Sequence, residues 1–220
     1  MSAPHGMQPL ALSVSVPAAY RYLLHEPADL TGAAPAGRPG LFFFHGKGER
    51  GDDLALVARH GPPRRVAEAR RFPFVLISPQ CPADDYWSEA PGLPEFVAAA
   101  IERHRLDPAR IYLTGLSMGG FAVWSLAHRH PGRYAAILPI CGGGEPRWAS
   151  RLRALPAWVF HGAKDDVIPV ARSIQMVEAI RAAGGDPRLT VYPEAGHDSW
   201  TETYANDEIY RWLLAQRRRA

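Results

Sequence analysis

A serine hydroxyl is a weak nucleophile until a base takes its proton, so the serine to look for has a base within reach and a place for negative charge beside it. Ser117 meets both conditions. It lies in Gly115-Leu116-Ser117-Met118-Gly119, directly after an apolar run ending near Thr114 and directly before a helical pattern starting at Met118. This setting predicts a strand, a sharp turn carrying the serine, and a helix. Gly115 and Gly119 leave room for the turn, and the helix aims its free N–H groups and positive dipole end at the hydroxyl. The chemistry such a turn supports is acyl transfer through a covalent serine intermediate. A glycine-rich turn also serves elsewhere as a plain connection or a phosphate cradle, but a five-position match in a strand-to-helix setting favours the nucleophile.

The chain has nine histidines, and the base is expected after the serine, beyond the end of a strand. His197 follows the run Leu189 to Tyr192 through Pro193-Glu194-Ala195-Gly196, a loop able to swing an imidazole over a sheet edge. His161 opens His161-Gly162-Ala163-Lys164-Asp165-Asp166 and is expected to brace the loop that presents the acid. The acid must accept the second imidazole N–H and stabilise the imidazolium as it forms. Asp165, just past a strand tip, suits this better than Asp166, which is placed to cap the next turn. The oxyanion is expected to take the backbone N–H of Met118 and a second N–H from His45-Gly46-Lys47-Gly48-Glu49-Arg50-Gly51, that of Lys47 or, failing it, Gly46. Glu49 and Arg50 either pair to stiffen this loop or meet substrate.

These groups need a frame. Short apolar runs bounded by glycine or proline recur at Leu41 to Phe44, Phe74 to Ile77, Ile111 to Leu113, Ala135 to Ile140, Ala157 to Phe160 and Leu189 to Tyr192, and read as buried strands. Ala11 to Val16 and Ala19 to Leu24 alternate more loosely, as half-exposed strands at a sheet edge would. Helical patterns fill Leu93 to Arg105, Met118 to Arg129, Ala171 to Ala183 and Asp207 to Arg217. Strand and helix alternate, so the fold class is α/β: a mostly parallel sheet of about eight strands with helices on both faces, in one domain over residues 1–220. Gly32 to Gly40 reads as a surface loop. The link from Cys141 to Pro156 is too short for a cap, which predicts an open site.

Composition narrows the alternatives. Hydrophobic residues at 47% and charged residues at 21% of 220 suit a folded globular chain. A net charge of +3, with the only dense basic run at Arg217, Arg218 and Arg219, gives no nucleic-acid partner, the run reading as a solvated helix end. Cys81 and Cys141, the two cysteines, are too far apart for a zinc or disulfide framework and are expected to be buried, as the His128-Arg129-His130 run is expected to end a helix. No metal and no cofactor are required. The longest apolar runs fall short of the ~20 residues of a membrane span, and Pro4, Pro9 and Pro17 interrupt any leader pattern, so a cytoplasmic location without a membrane partner is expected.

Taken together, the oxyanion loop, Ser78-Pro79-Gln80-Cys81, Gly115-Leu116-Ser117-Met118-Gly119-Gly120, His161-Gly162-Ala163-Lys164-Asp165 and Gly196-His197-Asp198 make the chain resemble a compact α/β-hydrolase. The likeness is to the small carboxylesterase, phospholipase-carboxylesterase and dienelactone-hydrolase-like branch of that superfamily, and it implies a serine hydrolase acting on small acyl or aryl esters through Ser117, His197 and Asp165. Dienelactone hydrolases typically carry cysteine at the elbow, so serine here argues against that particular activity. Peptidase or thioesterase chemistry would use the same triad, though a peptidase generally needs more structure to hold an extended peptide. A binding protein on this fold would be expected to lack a triad member. Trp87, Trp148 and Trp200 lie in loops expected at the carboxyl edge of the sheet, where they either cover the core or line an acyl or aryl pocket.

Overall fold

A computed structural model describes residues 6–14, 18–30 and 37–218. Eight strands form one sheet: β1 (Gln8–Val14), β2 (Ala18–His25), β3 (Gly40–Phe44), β4 (Val75–Pro79), β5 (Ile111–Leu116), β6 (Ala136–Ile140), β7 (Trp158–Gly162) and β8 (Arg188–Tyr192). Their order is β1-β2-β4-β3-β5-β6-β7-β8. From β4 to β8 all neighbours are parallel, whereas β2 runs antiparallel to both β1 and β4. The helices are α1 (Gly61–Ala67), α2 (Leu93–Arg103), α3 (Met118–Arg129), α4 (Ala149–Leu152), α5 (Ala171–Ala182), α6 (Trp200–Ala205) and α7 (Asp207–Ala215).

The sheet is buried on both faces, and strand alternation sorts the side chains between them. In β3, Phe42 and Phe44 join Tyr22, Ile77, Phe96 and Trp124 on one face. Leu41 and Phe43 join Phe74, Tyr112, Tyr204 and Tyr210 on the other. The central strands therefore read as unbroken apolar runs. β8 departs from the expected buried strand: it is last in the sheet, and Arg188 and Val191 are exposed. α1 and α6 were not anticipated. Pro62 and Pro63 resemble loop punctuation, yet proline is well suited to a helix's first turn, where its missing N–H costs nothing.

The first strand of the hairpin, Ala11 to Val16 as read from sequence, ends at Val14 here, and its remaining two residues lie outside the described ones, as does most of Gly32 to Gly40. Cys81 and Cys141 are buried free thiols just beyond β4 and β6. The link after Cys141 holds only a short 3-10 turn, Pro146–Trp148, and α4. At the C-terminus the basic run is not simply solvated: Arg217 pairs with Asp107 at 3.1 Å, and the Arg218 guanidinium donates to the Gly132 carbonyl. Arg219 is outside the described residues. Among the described residues no helix is long and apolar enough to cross a membrane.

The loop after β3 is built around His45. Cys81 N–H donates to its Nε2 at 3.0 Å, so the ring hydrogen sits on Nδ1 and is given to the Gly46 carbonyl at 2.6 Å. Trp87 Nε1–H donates to the His45 carbonyl at 3.0 Å, and Gln80 Nε2 donates to the carbonyls of Glu49 and Asp53. The loop is thus clamped to the end of β4 by a neutral imidazole.

Burial holds His45 at about 4, against an ordinary value of 6.5. Between those values the unfolded chain binds a proton that the folded one refuses, so stability is complete above about pH 6.5 and falls toward pH 4. The loss attributable to His45 is roughly 3 kcal/mol. Urea unfolding at a series of pH values should show His45→Gln losing that much less stability than wild type over this window; parallel profiles would refute the assignment.

Candidate active site

β5 lies in the middle of the sheet, and the chain leaves it at Ser117 with φ 53 and ψ −118, a left-handed backbone that a side chain rarely adopts. Close packing holds this strained turn. A Cβ on Gly119 would lie 1.9 Å from the Phe44 carbonyl oxygen, and one on Gly115 would lie 2.5 Å from the carbonyl oxygen of Gly119. The first turn of α3 can therefore press against the end of β3 only with glycine at these positions. Ser117 N–H donates to Ile140 in β6 at 3.0 Å, tying the elbow to both neighbouring strands.

Ser117, His197 and Asp165 come together in a continuous chain of hydrogen bonds. Ser117 Oγ lies 3.0 Å from His197 Nε2, and His197 Nδ1 lies 2.8 Å from Asp165 Oδ2. The carboxylate accepts at Nδ1, so that nitrogen carries the ring hydrogen and Nε2 is free to receive the hydroxyl proton. The other carboxylate oxygen, Oδ1, accepts the backbone N–H groups of Val167 at 2.9 Å and Ile168 at 2.8 Å. Burial would raise the Asp165 carboxyl, but the bonds from His197, Ile168 and Val167 outweigh it and leave the group below its ordinary value. Asp165 is ionised at neutral pH, whereas Asp166 is exposed beside it.

Gly162 lets the acid and base loops meet. A Cβ there would lie 2.1 Å from the Gly196 carbonyl oxygen and 2.4 Å from that of Ala195. Backbone bonds from Ala163 to Tyr192 and from Lys164 to Ala195, both 2.9 Å, join the loops, and the Lys164 ammonium pairs with Glu194. Among the described residues, the N–H groups of Met118 and Lys47 have no acceptor within the protein. Gly46 adjoins the serine, since a Cβ on it would lie 3.8 Å from Ser117 Cβ. The arrangement offers a hydroxyl, a base and an acid in one hydrogen-bonded chain, with the free Met118 N–H next after the serine and the loop that carries Lys47 adjoining it.

The three tryptophans part company. Trp200 stands edge-on to the His197 ring at 5.2 Å and helps line a cavity of about 250 Å³ with His60, Arg64 and Arg65. Trp87 is 2% exposed and packs against Phe44 and His45, so it supports the loop after β3 from the core. Trp148 stacks on His128 at 4.6 Å. His128 is ten residues along α3 from Met118, ~15 Å at the helical rise, which puts Trp148 at the far end of that helix from the elbow. Glu49 and Arg50 do not pair with each other. Glu49 is buried with His60 Nε2 at 3.7 Å, while Arg50 stacks on Tyr86 and donates to the Asp85 carbonyl.

Sequence reasoning gave His45, Gln80 and Ser173 no role, because each acts on atoms far along the chain, as His45 does on Cys81 N–H. Cys141, Asp165 and His197 have ligand-type atoms within 4.8 Å of one another. Burial pushes the Cys141 thiol up to about 12. Asp165 and His197 are already bonded to each other at 2.8 Å.

The geometry has counterparts among known proteins. A protein of Methylorubrum extorquens named "Putative carboxymethylenebutenolidase" is 35% identical over 155 residues, covering 64% of this chain and 50% of that protein. The solved structure of a thermostable esterase superposes with a TM-score of 0.81 at 31% identity, covering 97% of this chain and 64% of that one. A ferulic acid esterase shares the fold at a TM-score of 0.69 and 18% identity, covering 94% and 96% of the two chains. The chain thus spans about half the length of the curated relative and under two thirds of the thermostable esterase. Residues 89–209, a stretch that includes Ser117, Asp165 and His197, match the family model described as the dienelactone hydrolase family, and it is to this family of α/β-hydrolase fold that the chain belongs.

Proposed function

We propose that this protein is a serine esterase that cleaves small acyl or aryl esters through an acyl-enzyme on Ser117. The observation that carries the reading is the hydrogen-bonded chain from Ser117 Oγ through His197 to Asp165, at 3.0 and 2.8 Å. His197 Nε2 takes the hydroxyl proton as Oγ attacks the ester carbonyl, and the resulting oxyanion is held by the N–H groups of Met118 and Lys47. The imidazolium then gives its proton to the departing alcohol oxygen as the C–O bond breaks. Water, deprotonated by His197, attacks the acyl-enzyme in the same way and frees the acid and Ser117. Asp165 stays ionised throughout, fixing the ring and offsetting its charge. Oxyanion stabilisation by backbone dipoles needs no side-chain chemistry from Lys47.

Two features bear on substrate. Ser117 is partly exposed and the His197 side chain is 20% exposed, in keeping with a site open to water. Trp200, edge-on to the His197 ring at 5.2 Å, offers an aromatic surface beside the base. The serine at the elbow is the alcohol-type nucleophile of an esterase.

A fluorophosphonate should label the protein once, on Ser117, and Ser117→Ala should remain folded and unlabelled. Because the triad acts as a unit, Ser117→Ala and His197→Ala should each remove nearly the whole triad contribution, and the double variant should lose little more. Ester cleavage persisting in a wild-type protein that resists the label, or additive losses in the double variant, would sink the reading. Asp165→Asn should lower kcat by up to ~10⁴-fold by favouring the wrong imidazole tautomer.

Chain-length preference checks the open site. Full burial of a methylene is worth ~0.8 kcal/mol, or about fourfold in kcat/KM. Across nitrophenyl esters of increasing acyl length the specificity constant should level off early. A steady fourfold rise per methylene past roughly eight carbons would instead require a deep acyl tunnel.

A further inference from the structure

The sequence leaves Glu49 two roles, bracing Arg50 or meeting substrate, and the structure removes the first: Arg50 stacks on Tyr86 and donates to the Lys47 and Asp85 carbonyls instead. We propose that Glu49 is a specificity-determining residue whose carboxylate accepts hydrogen bonds from hydroxyl groups that the substrate carries close to its ester bond. The proposal rests on the triad reading above and adds to it a class of substrate, the hydroxylated esters.

Glu49 ends a 3-10 turn, Lys47–Glu49, and its backbone is held on both sides. Its N–H donates to the Gly46 carbonyl at 3.4 Å, and its own carbonyl accepts Gln80 Nε2 at 2.9 Å. The side chain turns back along Gly46. A Cβ built on that glycine would stand 3.2 Å from Glu49 Oε2 and 3.8 Å from Ser117 Cβ, so the carboxylate and the nucleophile flank the same residue. Oε1 lies 3.7 Å from His60 Nε2, the His60 ring meets Trp200, and Trp200 meets His197. Glu49 is thus set between the serine and the His60–Trp200 wall of the neighbouring cavity.

Among the described residues this carboxylate receives no hydrogen bond, the 3.7 Å approach of His60 being too long for one. With 7% of the residue exposed, Glu49 has given up nearly all its water, and a carboxylate so placed without donors is unfavourable. It also sets a negative charge near the carbonyl that is to become an oxyanion. A substrate hydroxyl donating to Glu49 relieves both, because it supplies the missing bond and disperses the charge. The loop narrows the kind of donor. Lys47 and Arg50 are cations on it that pair with no carboxylate among the described residues, so a cationic ligand meets repulsion there and a neutral hydroxyl meets none. An ester without hydroxyls displaces the last water from Glu49 and gives nothing back, which is how a polar site rejects an analogue.

The test compares kcat/KM for esters that differ only in hydroxyls: glyceryl against propyl butanoate, with the hydroxyls on the alcohol, and methyl β-hydroxybutanoate against methyl butanoate, with the hydroxyl on the acyl group. In the wild type at least one pair should favour the hydroxylated ester by roughly tenfold or more, and the pair that does so tells which half of the ester faces Glu49. Glu49→Gln should bring that ratio down toward one, since an amide oxygen accepts a weaker, uncharged bond. If Glu49→Gln does not fold, Glu49→Asp, whose carboxylate is drawn back by one methylene, should lower the same ratio. Ratios near one in both wild-type pairs, or a ratio that neither variant lowers, would overturn the proposal. So would a preference for choline butanoate over an uncharged isostere that Glu49→Gln abolishes, which would make the ligand a cation. Fluorophosphonate labelling of wild-type Ser117 is run beside these: no label removes the triad reading and this proposal with it, whereas a labelled serine with flat ratios removes only the role of Glu49.

Discussion

Everything at this site depends on how closely α3 can approach β3. At Gly119 the two backbones are so near that a single carbon would overlap the Phe44 carbonyl. That contact holds Ser117 in a conformation it would not adopt alone. A strained residue costs on the order of 1–3 kcal/mol and persists only where its surroundings over-determine it. Here the buried sheet on one side and the α3 helix on the other supply that constraint. In return the hydroxyl stands clear of the sheet, and the first N–H of the helix is left without a partner.

The polar groups around the serine follow one rule: each buried titratable group has its charge state fixed by named partners. His45 is buried and stays neutral, so it can clamp a loop without bringing a charge into the core. Asp165 is buried and stays ionised because three N–H donors, from His197, Val167 and Ile168, meet it. His197 alone of the three has a solvent-facing side chain. Burial and bonding thus distinguish the three groups.

Much of this was legible in the sequence. The apolar runs gave the central strands because those strands are buried on both faces, and the elbow announced itself because a serine in so tight a strand-to-helix turn requires glycines at set distances. Asp165 could be preferred to Asp166 from its place past a strand tip. What stayed hidden was anything decided by distant partners. The loop position of Trp148 fits both a core cover and a pocket wall, and its ring is taken up by His128 at the far end of α3. Glu49 and Arg50, adjacent in sequence, turn to different neighbours. β8 read as buried from composition, although its place at the sheet edge follows from strand order, which no local pattern encodes.

Lys47 joins two properties in one residue. Among the described residues its amide has no acceptor within the protein, while the residue is exposed and its ammonium lies 5.7 Å from the Tyr86 ring. The amide is present whatever side chain follows, so a substitution here leaves the backbone donor in place. It changes only the charge that the loop after β3 presents to solvent. A loop arranged this way separates what its backbone offers from what its surface displays.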